Sequence, residues 1–172
     1  MLAYVFWHRP RAGVEAGDYA TALRAFHERV GVPSWFAALA RPPWGEDAGW
    51  FEDWYLVEDW NGLGRLSEHA VSGPRRPPHD HVAGMAGEGI AGIYARLAGR
   101  PEPPAWIGWV AKPEGEAYAD FVPALCAAAG AEASVWQRQM TLGPTPEFVA
   151  LGPAPLGLPW PVVATGPATA AP

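Results

Sequence analysis

Cysteine and lysine each occur once in the 172 residues. Cys126 alone excludes an intrachain disulfide and a cysteine-rich zinc site, and within its apolar run it reads as a small buried side chain. Lys112 is joined by eleven arginines, but these are scattered, and eighteen acids bring the net charge to −6. That balance lacks the positive stripe needed for a phosphate backbone or an anionic lipid surface, so neither nucleic acid nor membrane is expected as a partner. No apolar run reaches the roughly 20 residues that span a bilayer. The chain opens on a strand-like run without the basic leader of a secretory signal, so a cytoplasmic location is expected. It also lacks G-x-S-x-G, a Walker loop, a dinucleotide fingerprint and H-E-x-x-H, leaving familiar hydrolytic and nucleotide-dependent chemistry unsupported.

What is present is aromatic and apolar. Ten tryptophans, 49% apolar residues and only 17% charged residues give enough surface to offset chain entropy by burial, which excludes a disordered chain. Twenty glycines without a three-residue period exclude collagen. The length suits about one domain.

Leu2 to His8 is strongly β-prone and stops at Arg9-Pro10. Asp18 is then placed to cap a helix whose buried stripe is Tyr19, Ala22, Leu23, Phe26 and Val30, closed by Gly31 and Pro33. Two strands are expected at Ser34–Leu39 and Gly49–Asp59, separated by a Pro-Pro-Trp-Gly turn. Asn61 opens a short helix with Leu63, Leu66 and Ala70. The spacing of Val82, Met85, Ala86, Ile90, Ile93, Tyr94 and Leu97 predicts a second helix from about Asp80. Its glycines mark close approach to another backbone.

The order then recurs. Trp106–Ala111 stops at Lys112-Pro113 as the first strand stops at Arg9-Pro10, and Tyr118-Ala119 opens a helix as Tyr19-Ala20 does. Gly130 answers Gly31, and Trp136 answers Trp35 on the next strand, which runs on through Leu142; a last strand covers Glu147–Leu151. The reading is a single α+β domain over residues 1–151, built of two βαββ pseudo-repeats, about 1–60 and 105–151, joined by a helical segment, 61–100. The Pro- and Ala-rich tail, 152–172, is expected to be irregular, with Trp160–Thr165 as a candidate edge strand.

The blocks AYVFWHRP, EDWYLVEDW and VWQRQMTLGPTPEFVALG, in this duplicated order, resemble a bacterial group of ferredoxin-like proteins related to the dimeric α+β barrel superfamily. The resemblance implies two antiparallel sheets packed as a barrel or sandwich, with helices outside and a cavity between the sheets. Superfamily members include small monooxygenases, isomerases and haem-handling proteins. Most pair two complete chains, whereas this chain holds both halves, so monomer and homodimer both stay open.

Several residues are candidates for chemistry. His8 ends an aromatic strand, where an imidazole suits proton transfer, although a backbone carbonyl would also satisfy it. The acid pairs Glu46-Asp47, Glu52-Asp53 and Glu58-Asp59 alternate with tryptophans. One face of that strand carries Glu52, Trp54, Leu56 and Glu58, and the other carries Phe51, Asp53, Tyr55 and Val57. Glu58 is the carboxylate taken to work with His8, with Trp54 and Tyr55 as ring surfaces for a ligand; a plain edge strand defended by its acids is the alternative. Arg9 and Lys112, at equivalent strand ends, are candidates to meet an anionic group or a nearby acid. Arg138 lies among apolar neighbours and requires Glu58, Asp53 or a ligand carboxylate.

His79 and His81 form an H-x-H pair without a third ligand, with Asp80 between them as a helix cap. No cofactor is predicted, and a divalent metal or haem through one of the five histidines stays open as an alternative. The expected function is binding of a small apolar or aromatic molecule between the sheets, with proton-transfer or cofactor-free oxidation chemistry. The alternative is a non-catalytic binding or self-assembly protein with a closed tryptophan core.

Overall fold

The computed structural model describes residues 1–140 and 143–166. Its first half runs β1 (Leu2–Pro10), α1 (Ala16–His27), β2 (Ser34–Ala38), β3 (Phe51–Val57), α2 (Trp60–His69), α3 (Arg76–Met85) and β4 (Ala86–Ala98). The second half runs β5 (Trp106–Val110), α4 (Tyr118–Ala129), β6 (Ser134–Met140), β7 (Phe148–Gly152) and β8 (Val162–Gly166). The expected strand positions Thr141 and Leu142, and the end of the tail, 167–172, lie outside the described residues.

All eight strands join one antiparallel sheet in the order β2-β3-β1-β4-β6-β7-β5-β8, where two separate sheets were expected. The first four follow the βαββαβ pairing of a ferredoxin-like unit, and the same order of pairings recurs in the last four without a second helix. β4 and β6 join the two sets. The sheet curls until its ends approach, and Ala40, just beyond β2, donates its backbone N–H to Thr165 of β8 at 3.4 Å.

β4 corrects the largest sequence expectation. Residues 86–98 form a strand, and the helix that was to start at Asp80 begins at Arg76 and ends at Met85. The glycines do mark close approach: a Cβ on Gly89 would lie 2.5 Å from the Phe6 ring, so glycine there lets Phe6 lie across the neighbouring strand. Trp160–Thr165 contains the start of the edge strand β8. Two caps also differ from expectation. Asp59, rather than Asn61, caps α2 by accepting from the Gly62 N–H at 2.8 Å, and α1 begins at Ala16, which puts Asp18 in its first turn beside the positive end of the helix dipole.

The concave face of the curled sheet is filled. Trp7, Trp35, Trp54, Trp109 and Trp136 are all buried there, with rings such as Trp7 and Trp109 only 5.3 Å apart between centroids. The expected ligand space between sheets is therefore occupied by side chains of the protein itself. On the convex face, α1, α2 and α3 cover the first half, while α4 and Leu156, Leu158 and Trp160 cover the second.

Candidate functional site

The cavity lies on the convex side, between the first-half sheet and its helices, and measures about 590 Å³. That volume is within the roughly 300–1,000 Å³ range of small-molecule sites. Strand alternation on β1 turns Tyr4, Phe6 and His8 toward it, and on β3 it turns Asp53 and Tyr55 the same way. α1 contributes Tyr19, Leu23 and Phe26 at helical spacing, while α2 and α3 close the far wall through residues such as Leu66 and Val82.

One end of this aromatic space is polar. Asp53, 2% exposed, sits between two buried imidazoles. His8 Nε2 is 3.1 Å from Oδ1, and His27 Nε2 is 3.4 Å from Oδ2. Tyr55 donates its hydroxyl to Oδ2 at 2.8 Å. The remaining ring nitrogens reach outward: His8 Nδ1 lies 2.6 Å from the Tyr19 hydroxyl and His27 Nδ1 lies 2.8 Å from Ser34 Oγ. The His8 contact is close in distance but off the hydrogen-bond direction, so Nε2 and Oδ1 have no hydrogen-bond partner among the described residues.

The electrostatics follow from this packing. Burial alone would push the Asp53 carboxyl up, but the neighbouring His8 and His27 outweigh it and hold the group well below the ordinary carboxylate range. Asp53 is therefore an anion and accepts only. Burial, then the Asp53 charge, push the Tyr19 and Tyr55 hydroxyls above their ordinary values, so both stay neutral phenols near physiological pH.

Of the residues expected from sequence, His8 and Tyr55 line this cavity. Glu58 does not: it is exposed just past β3, and Asp53 is the carboxylate beside His8. Trp54 faces the concave interior, where it donates to Glu52 at 2.7 Å. Arg9 pairs with Glu88 at the surface and lies over the Trp50 ring. Lys112 donates to the carbonyls of Pro113 and Glu116 at 3.0 and 2.5 Å, tying the β5–α4 loop. Arg138 donates to the Thr145 carbonyl at 2.7 Å and so meets backbone oxygens of the turn before β7, not Glu58 or Asp53.

His79 lines the cavity wall, with its Nδ1 3.1 Å from Asp80, whereas His81 points to solvent. Asp80 is inside α3, paired with Arg76, and is not a cap. No group of three metal-ligating side chains is assembled among the described residues. Among the described residues, His8 and His27 turn their Nε2 atoms to Asp53 and no lysine or arginine lines the cavity to meet the carboxylates of a haem, while His79, whose Nδ1 meets Asp80, is a further imidazole in the wall.

Tyr19, His27, Ser34 and Asp53 are the members of the cluster that sequence reasoning did not assign to it. Tyr19 and His27 are eight residues apart on one helix, a spacing that returns both to one face, and this was the available signal.

No helix among the described residues is long and apolar enough to cross a membrane. No protein-family model matches the chain, and no curated protein does. Among solved structures it is similar to a proposed chlorite dismutase at 11% identity and a TM-score of 0.46, covering 99% of this chain and 96% of that one. It is also similar to a mutant of the chlorite dismutase from Candidatus Nitrospira defluvii, at 6% identity and a TM-score of 0.40, covering 96% and 91%.

Proposed function

We propose that this protein binds one compact apolar or aromatic molecule in the convex-side cavity, with its polar end against Tyr19, His8 and Asp53, and that this cluster serves as a proton acceptor. The observation that carries the reading is a cavity of about 590 Å³ whose walls are aromatic and aliphatic and whose one carboxylate, among the described lining residues, is the buried Asp53. A site built for structure alone would fill such a space, as the tryptophans fill the concave face. The closed tryptophan core and a ligand site thus occupy opposite sides of one sheet. The recurring order of strand pairings supports a duplicated unit whose first copy, with three helices, acquired the cavity.

The test is calorimetric titration of the full chain with a panel of one- and two-ring aromatic compounds, alongside thermal unfolding. Saturable binding at one site, with a raised unfolding temperature for the same compounds, is the expected result. A panel in which no compound binds saturably overturns the reading.

A further inference from the structure

The polar end of the cavity has a donor–acceptor direction. Because Asp53 only accepts, the His8 tautomer with its proton on Nε2, 3.1 Å from Oδ1, is the one that avoids setting a bare ring nitrogen against a carboxylate oxygen. Nδ1 is then bare and takes the single hydroxyl proton of Tyr19 across 2.6 Å. Tyr19 Oη is left with lone pairs and no second proton to offer. Asp53 Oδ1, buried and without a hydrogen bond, adds another acceptor at the same end.

Ligand chemistry is narrowed by what these groups refuse. A ligand that enters already anionic, bringing no proton to charge His8, would meet the Asp53 charge with no lysine or arginine among the described lining residues to offset it. A ligand carbonyl would meet lone pairs. A hydroxyl carried on a flat apolar body is complementary to both the acceptors and the walls. Resting on the cavity reading above, we propose that the ligand is a compact phenol or enol that donates its hydroxyl to Tyr19 Oη, and that Tyr19 and His8 together take its proton.

The step balances without a co-reactant. The ligand O–H bond breaks and its proton bonds to Tyr19 Oη as the Tyr19 proton moves to His8 Nδ1. The products are a ligand oxyanion, a neutral Tyr19 and a His8 imidazolium beside the Asp53 carboxylate. Tyr19 is the group that touches the ligand, and Asp53 is a positioning residue that stabilises charge on His8. The groups that set the pH dependence are Tyr19 and His27 from α1, Asp53 and Tyr55 from β3, Tyr4 on β1 and His79 from α3; Gly89 on β4, opposite His8, brings no charge.

Para-nitrophenol and nitrobenzene, matched in shape, test the proposal on the full chain by titration and by the visible absorbance of nitrophenolate. The phenol is expected to bind about tenfold more tightly or better, because the site is built around its hydroxyl. It should also show the nitrophenolate band at a mildly acidic pH where the free compound is mostly protonated. Tyr19→Phe should bring the two affinities together and abolish the band, while retained nitrobenzene binding reports an intact fold. His8→Gln, which accepts a hydrogen bond but cannot take the proton, should keep much of the phenol preference and lose the band. Equal affinities in the unchanged protein, or a preference and band that survive Tyr19→Phe, overturn this proposal and leave the cavity reading standing. Failure of both compounds to bind overturns the two together.

Discussion

Glu52 and Asp53 are adjacent in the chain and both buried, and although burial pushes both carboxyls up, their neighbours leave them on opposite sides of the ordinary value. Asp53 faces the cavity, where two imidazoles and a phenol keep it ionised. Glu52 faces the tryptophan interior, where Trp7 and Trp54 each donate an indole N–H at 2.7 Å. Burial outweighs those donors and lifts the Glu52 carboxyl from 4.5 to about 7. One residue of strand separates a carboxylate held charged from one driven toward neutrality.

Glu52 therefore makes stability depend on pH in the sense opposite to a salt-bridged acid. Its folded pKa is raised, so the folded state binds more protons than the unfolded chain between about 4.5 and 7, and stability falls across that window as pH rises. Glu52→Gln removes the titration, although its amide can serve only one indole as acceptor. Relative to the unchanged protein, the variant should gain on the order of 2 kcal/mol between about pH 5 and pH 8, read from urea unfolding at each pH. Parallel pH profiles for the two proteins would contradict the assignment.

Asp53 has the other sign. Its lowered folded pKa contributes stability that is present above the unfolded value of 3.8 and is lost as pH falls through the folded value. Asp53→Asn should cost about 2–4 kcal/mol near neutral pH by removing the charge and leaving the imidazoles and Tyr55 to share a single amide oxygen, with an NH2 donor in place of the other acceptor. It should also flatten the acid limb of the stability profile, measured by denaturant unfolding from neutral pH down to about pH 2.

Val82 lines the cavity at 8% exposure, away from the polar end. Val82→Phe should extend a ring into existing space, leaving the unfolding temperature unchanged or higher while weakening aromatic ligands about tenfold or more. Titration and thermal unfolding of the same sample separate occlusion from misfolding. Undiminished binding in a folded variant would place the ligand elsewhere.

Trp136 is buried on the concave face against Trp54, with ring centroids 5.5 Å apart. Trp136→Ala should lower stability by about 3–5 kcal/mol in denaturant unfolding. Aromatic ligand affinity should stay within about twofold under conditions where the variant is folded, because the cavity is on the other side of the sheet.

Face alternation on β3 is legible in the sequence, since period two alone separates Glu52 and Trp54 from Asp53 and Tyr55. Which of the acids meets His8 was not, because that depends on the register of β1 against β3, which sets His8 opposite Phe51 and Phe6 opposite Asp53. β4 misled for a physical reason. It is apolar on both faces, with Ile90 and Tyr94 against the tryptophan interior and Ile93 and Ala95 on the helix side, while its register against β1 runs unbroken from Gly89 to Ala95. Its apolar residues then fall at three- and four-residue spacing, while Gly87, Gly89 and Gly92 carry no side chain to mark a face. The cavity was displaced from its expected side because ten tryptophans could be counted but not assigned between a lined pocket and a filled one.

β4 and β6 carry a further consequence, since the link between the halves passes through residues 99–105 while the halves stay zipped along this pair of strands. Gly99 lies against the Ala133 carbonyl so closely that no side chain fits there, which fixes where the link leaves the sheet. Cutting the chain in that link severs no ladder and opens neither the tryptophan interior nor the cavity. The protein is thus laid out as a natural pair of complementing fragments, 1–98 and 106–172, in which the larger carries every described residue of the cavity lining and the smaller supplies the missing wall of its core.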